Sequence, residues 1–219
     1  MSIINRQQFH EQYGPGHAIE PMPDARQTNQ DIITALADHV KPERVLEIGI
    51  NVGETARAVL SNAPYIKEYI GVDLPKMWFK GKSNDKPGQI VKDDRLKVMT
   101  PEDGSKGLDK SDLGKFDLIF IDGDHTYAGV EFDTRLAYAL INPGGVVIWH
   151  DYGRASDLDV TSLVHYLNLK EREGRICAVM GTWTAFEIIP AVKAPEVPEA
   201  KPAKKTRKKA TVDETPEEE

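Results

Sequence analysis

In Phe116-Asp117-Leu118-Ile119-Phe120-Ile121-Asp122-Gly123-Asp124-His125 an apolar run stops abruptly at two carboxylates and an imidazole. Consecutive β-branched and aromatic residues describe a strand buried on both faces, as in a parallel sheet. Ligands of open α/β sheets sit just beyond the carboxyl ends of such strands. A second run, Gly144-Gly145-Val146-Val147-Ile148-Trp149-His150-Asp151, repeats the pattern and again ends in His and Asp. Neighbouring strand ends would gather Asp122, His125, His150 and Asp151 around one cleft.

Working outward, apolar strand patterns alternate with helical ones. A helix over 29–40 carries Ile32, Ile33, Leu36 and Val40 on one face. Strands are expected over 44–49, 68–74, 95–99, 116–122 and 145–151, with helices over 54–60, 128–141 and 158–173. Asn142-Pro143-Gly144-Gly145 reads as a helix stop. Residues 176–180 and 185–189 flank Gly181-Thr182-Trp183-Thr184 as a β-hairpin. The alternation predicts a doubly wound, Rossmann-like α/β fold with a mainly parallel sheet, closed by a C-terminal antiparallel hairpin that leaves an edge strand antiparallel.

The 219 residues suit one substantial domain, expected over 31–190. Residues 1–30 are polar, with Gly14-Pro15-Gly16 and Pro21-Met22-Pro23, and read as an N-terminal arm or lid. Residues 191–219, rich in Pro, Ala, Lys and Glu, read as a disordered charged tail. That tail holds seven basic and seven acidic residues, so the net charge of −7 belongs to the folded part. An acidic domain is a poor binder of nucleic acid backbones, although residues 201–209 form a basic block. Cys177 is the single cysteine, which excludes a disulfide framework and a cysteine-based zinc site. No signal-like or membrane-spanning run is present, so a cytoplasmic location is expected.

The first strand and its turn read Val45-Leu46-Glu47-Ile48-Gly49-Ile50-Asn51-Val52-Gly53-Glu54. Glycines 49 and 53 allow a sharp turn and a close ligand approach. Asn51 replaces the middle glycine of a dinucleotide fingerprint, and Glu47 would repel a pyrophosphate while attracting an ammonium. Asp73 ends the next strand, where a carboxylate binds ribose hydroxyls. An ammonium-bearing nucleoside such as S-adenosylmethionine satisfies both acids.

These blocks, with Ile121-Asp122-Gly123-Asp124-His125, Pro143-Gly144-Gly145 and His150-Asp151-Tyr152, resemble class I S-adenosylmethionine-dependent methyltransferases. Together they resemble a branch of small O-methyltransferase-like proteins that includes enzymes acting on sugar hydroxyls of natural products. The resemblance covers residues 30–190. It implies the class I fold, cofactor contacts from Glu47, Gly49, Asn51, Gly53 and Asp73, and adenine contact near Asp103, where the usual Gly-Asp-Ser order is altered. It further implies a divalent ion, Mg²⁺ or Mn²⁺, on Asp122, His150 and Asp151, with His125 as the base. His150 departs from the carboxylate of magnesium-binding relatives, and imidazole favours softer ions. Asp124 reads as a helix cap, Trp149 as core, and His10, His17, His39 and His165 as incidental. Met77, Trp78 and Phe79 are candidates for shaping the pocket, as is Tyr152.

The expected activity is O-methylation of a small hydroxylated acceptor, and a homo-oligomer is compatible with the sequence. One alternative is a non-catalytic nucleoside-binding or assembly protein retaining the fold. A nucleic-acid methyltransferase is a weaker rival, because the Asn/Asp-Pro-Pro-aromatic block of base-modifying relatives is missing after Ile121.

Overall fold

The structure, a computed structural model, describes residues 1–17, 30–79, 82–84 and 86–191, with the backbone alone given for 77–79 and 82–84. Pro21-Met22-Pro23, the side chains of Met77, Trp78 and Phe79, and the tail with its basic block lie outside the described residues.

The N-terminal arm opens with β1 (Ser2–Ile4) and α1 (Arg6–Tyr13), the latter closed by a capping box between Asn5 and Gln8. Next come α2 (Gln30–Val40), β2 (Arg44–Ile48), α3 (Glu54–Asn62) and β3 (Glu68–Val72). A small hairpin, β4 (Met77–Phe79) with β5 (Lys82–Asn84), follows β3. The chain continues through β6 (Leu96–Met99), α4 (Lys110–Leu113), β7 (Phe116–Ile121), α5 (Tyr127–Leu140), β8 (Ile141–Trp149) and α6 (Leu158–Lys170). It finishes with β9 (Cys177–Val179) and β10 (Thr184–Ile188).

The eight-stranded sheet has the order β1-β9-β10-β8-β7-β2-β3-β6. Only β10 runs against its neighbours, pairing antiparallel with both β8 and β9. The sequence placed the antiparallel strand at an edge, but β1 pairs parallel to β9 and closes that side, leaving β10 in the interior. Strand order reverses between β2 and β7, which pair in parallel from Val45↔Leu118 to Ile48↔Ile121. This switch point is where an open α/β sheet forms its ligand crevice.

Both faces of the sheet are covered, and the strands show it residue by residue. Ile119, Ile121, Val147 and Trp149 face α5 and α6, whereas Leu118, Phe120, Val146 and Ile148 face α1, α2 and α3. Two boundaries differ from expectation. β8 starts at Ile141, directly after α5, and Asn142-Pro143-Gly144-Gly145 is an irregularity within the strand pairing rather than a loop before it. Gly145 has no room for a side chain there, since a Cβ would lie 2.6 Å from the Asp117 carbonyl.

Phe9 on α1 is fully buried, with its ring against Tyr13 and Phe186. Truncation of such a ring costs about 3–5 kcal/mol. Phe9→Ala is therefore expected to lower unfolding free energy by about that amount in urea. A loss well under about 1 kcal/mol would show that α1 does not belong to the core.

Candidate active site

The turn after β2 is built on left-handed backbone at Gly49 (φ +92°), Asn51 (φ +48°) and Gly53 (φ +99°). At Gly49 the requirement is steric as well, because a Cβ would lie 2.1 Å from the Asp122 carbonyl oxygen. The Asn51 N–H donates to Asp73 Oδ2 at 2.6 Å and the Leu74 N–H to Oδ1 at 2.7 Å. Burial pushes the Asp73 carboxyl above its usual range, while these two N–H groups pull the other way.

A cavity of about 470 Å³ opens beside this turn, with Gly49, Asp73, Leu74, Asp103, Ser105 and Asp133 in its wall. Its volume is that of a small-molecule pocket. Of the residues expected at the cofactor, Gly49, Asp73 and Asp103 are brought to this wall, whereas Glu47, Asn51 and Gly53 are not. Glu47 is only 2 % exposed, and its Oε2 accepts the Tyr69 hydroxyl at 2.8 Å. Burial raises its carboxyl well above the carboxylate range. Asn51 contributes backbone to Asp73, and Gly53 lets residues 88 and 91 pack closely.

In the same wall Asp133, on α5, accepts the Ser105 hydroxyl at Oδ1. Burial drives its carboxyl up to about 6.

Five ionisable side chains meet beyond the ends of β7 and β8. His150 Nδ1 lies 3.0 Å from Asp122 Oδ1 and 3.2 Å from Asp151 Oδ1. His125 Nε2 is 3.4 Å from Asp122 Oδ1, and its Nδ1 is 3.4 Å from Asp151 Oδ2 and 3.1 Å from Asp157 Oδ1. Burial works against charge on His150, but the two carboxylates outweigh it and hold the ring up to about 10. Asp151 answers in kind: burial opposes its charge, yet His150 and Arg154 bring it down to about 2. Asp122 is also lowered by His150 against the effect of burial, and contact with Asp122 raises His125.

Donor atoms of Asp122, His125 and Asp151 all lie within 4.8 Å of one another, a grouping able to hold a metal ion. His150, expected among the ligands, sits between the Oδ1 atoms of both carboxylates. Asp151 is strained into left-handed backbone (φ +56°), and its Oδ2 is buried without a hydrogen bond. A groove of about 420 Å³ on the other side of His125 is lined by Thr126, Ser156, Asp157, Leu158 and Asp159. Tyr152 turns away to donate to Met1 Sδ at 2.7 Å. Asp124 accepts the Thr126 N–H, and Thr126 itself caps α5 through Gly129. Trp149 is core, its Nε1 donating to Thr134.

Asp133, Arg154 and Asp157 went unnoticed in the sequence. Asp157 precedes an apolar helix and carries the N-cap signal. Neither Asp133, an acid within a helix, nor Arg154, in a loop, carries one.

Residues 46–152 match the family model Methyltransf_24, a methyltransferase domain. The match begins in β2 and ends just past Asp151, so it contains the glycine turn, Asp73, Asp122, His125 and His150. Among solved structures, a candidate caffeoyl-CoA O-methyltransferase from Staphylococcus aureus is 15 % identical with a TM-score of 0.57, covering 84 % of this chain and 90 % of its own. An O-methyltransferase from Bacillus cereus in complex with SAH is 17 % identical with a TM-score of 0.50, the coverages being 83 % and 88 %. The MycE methyltransferase of mycinamycin biosynthesis, in complex with Mg and SAH, is 16 % identical with a TM-score of 0.50, covering 82 % of this chain and 59 % of its own. No curated protein matches the sequence significantly. The structural neighbours show the fold, and the likeness of residues 46–152 is to a methyltransferase domain. Among the described residues no helix is long and apolar enough to cross a membrane.

The raised Asp133 carboxyl has a consequence for stability. Its folded form holds the proton more tightly than the unfolded chain, so stability falls as pH rises from about 4 to about 6 and is level above that. Asp133→Asn removes this loss. The variant should gain on the order of 2 kcal/mol over the parent at pH 7 and much less at pH 4, read by urea unfolding at both pH values. An equal difference at the two pH values would contradict the assignment.

Proposed function

We propose that this protein transfers the methyl group of S-adenosylmethionine to a hydroxyl of a small acceptor. The observation that carries the reading is Asp73, fixed by two backbone N–H groups in the wall of a cavity that Asp122 also lines. The ribose hydroxyls donate to Asp73, Leu74 flanks the base, and Asp103 and Ser105 lie at the base end. Gly49 allows the methionine part to pass close to the backbone. The sulfonium then lies toward Asp122, and the acceptor enters from the groove lined by Ser156, Asp157 and Asp159. A sugar or sugar-bearing metabolite suits that polar wall.

A hydroxyl is a poor nucleophile at neutral pH, so its proton must be accepted as the new O–C bond forms. His125 faces the groove and accepts the proton at Nε2, while Asp157 holds the ring through Nδ1 and Asp122, 3.4 Å from Nε2, stabilises the imidazolium that forms. Positive charge on the cofactor, brought next to Asp122, favours the neutral ring that a base requires.

The residues present also fit a divalent ion, because the buried Oδ2 of Asp151 has no hydrogen bond and Asp151 shares a cluster of donor atoms with Asp122 and His125. Asp122, His150 and Asp151 would hold it, leaving His125 for the proton. Such an ion lowers the pKa of a bound hydroxyl. The MycE structure holds Mg, whereas a nitrogen donor here shifts preference toward Mn²⁺.

Calorimetric titration of S-adenosylmethionine tests the reading, with micromolar binding expected and Asp73→Ala weakening it about 10- to 100-fold. No binding to the parent protein would refute it. His125→Ala is expected to leave cofactor binding within about threefold while lowering transfer by at least about 100-fold. In the parent, transfer should rise with pH and reach its midpoint above the ordinary histidine value, since His125 must first lose a tightly held proton. Cofactor binding without turnover on any hydroxylated acceptor would favour the nucleoside-binding alternative. For the ion, Mn²⁺ titration of chelator-treated protein should show binding that His150→Ala abolishes and His125→Ala spares. The reverse pattern would make His125 the ligand.

A further inference from the structure

We propose that Arg154 is a positioning residue for His125: stacked on Trp183, it holds Asp151 and Asp157 against His125 Nδ1 and so keeps Nε2 free to accept a proton. The proposal rests on the reading of His125 as the base and names what orients it. The loop after β8 folds as two successive turns that share Arg154. Its N–H donates to the Asp151 carbonyl at 3.2 Å, and its carbonyl accepts the Asp157 N–H at 3.1 Å. Acids three residues to either side are thereby brought to one guanidinium. Arg154 Nη1 lies 3.0 Å from Asp151 Oδ1, and its Nε lies 3.3 Å from Asp157 Oδ2. The other oxygen of each carboxylate faces His125 Nδ1, Asp151 Oδ2 at 3.4 Å and Asp157 Oδ1 at 3.1 Å. Two carboxylates around one nitrogen repel each other unless a cation stands behind them, and a planar guanidinium can hold both.

Two departures from local rules point the same way. Asp157 occupies the N-cap position of α6, yet its side chain makes no capping hydrogen bond. Its oxygens are engaged by Arg154, Ser156 and His125 instead. Trp183, whose ring centroid is 5.1 Å from the Arg154 guanidinium, has left-handed backbone (φ +49°), a costly conformation for a bulky side chain. The Thr182 hydroxyl donates to the Val179 carbonyl at 2.8 Å and the Thr184 hydroxyl to the Thr182 carbonyl at 2.9 Å, which fixes that turn. Across the His125 ring, Asp122 Oδ1 lies 3.4 Å from Nε2 and competes for the proton. A neutral imidazole carries only one N–H, so Nε2 can act as a base only in the Nδ1–H tautomer.

The test is the ¹⁵N spectrum of chelator-treated protein labelled at histidine, read above the pH at which the His125 ring becomes neutral. It reports which ring nitrogen bears the proton, and His125→Gln assigns the signal. The parent is expected to favour Nδ1–H by about tenfold, and Arg154→Ala to fall to about equal populations or below. Arg154→Lys keeps a charge but cannot span both carboxylates, and Trp183→Leu keeps the guanidinium but removes its stack; both should give intermediate ratios. An unchanged His39 signal, from α2, shows that each variant is folded. An Nε2–H majority in the parent overturns the proposal, as does an unchanged ratio in Arg154→Ala. Should that variant not fold, an unchanged ratio in Arg154→Lys overturns it. The measurement needs neither cofactor nor acceptor. A parent that binds no S-adenosylmethionine would therefore refute the transfer reading without altering the tautomer result, and a lost tautomer preference would leave cofactor binding untouched.

Discussion

The close approach of Gly49 to the backbone of Asp122 is the constraint on which the site depends. It occurs where strand order reverses, between β2 and β7, and the Asp122 N–H donates to the Ile48 carbonyl at 2.8 Å. Two strands can end this close together only if one of them bears no side chain. The chain leaving β2 then turns upward over the Val72 carbonyl, which accepts the Gly49 N–H at 2.8 Å. The three strand ends bearing Gly49, Asp73 and Asp122 thus share one rim. The proposed contacts to the ribose and the methionine part hang from that rim.

Charge is arranged in two settings. Beyond the ends of β7 and β8, Asp122, Asp151 and Asp157 face His125, His150 and Arg154, so the carboxylates are compensated by neighbouring cations. Arg154 also stacks on Trp183, 5.1 Å from the ring centroid, and the Trp183 carbonyl accepts the Tyr152 N–H. The hairpin before β10 thereby braces the loop that carries Asp151. In the cavity wall Asp133 has one hydroxyl partner and a raised carboxyl. The first setting suits proton or ion chemistry, and the second suits recognition of a neutral polar group.

Much of this was legible in the sequence because strands buried on both faces leave continuous apolar runs. Phe116–Ile121 and Val146–Trp149 are such runs, and both end in the residues that form the cluster. The N-terminal elements left a weaker trace. β1 has three residues, and α1 buries only Phe9, so neither shows a period. The interior place of β10 depends on pairing between β1 and β9, which are far apart in the chain. Glu47 was read from its motif, but its surroundings are set by Tyr69, 22 positions away. Asp133 looked like one more polar residue on a helix, and its partner Ser105 is 28 positions distant. Long-range partners of this kind have no local signature.

The most direct measurement of the central claim is a crystal structure of the protein with S-adenosylhomocysteine. The account predicts the ribose hydroxyls on Asp73, the purine between Leu74 and the 103–105 segment, and the sulfur directed toward Asp122. A nucleoside bound elsewhere on the fold, or a cavity closed to it in well-ordered crystals at saturating ligand, would contradict the account.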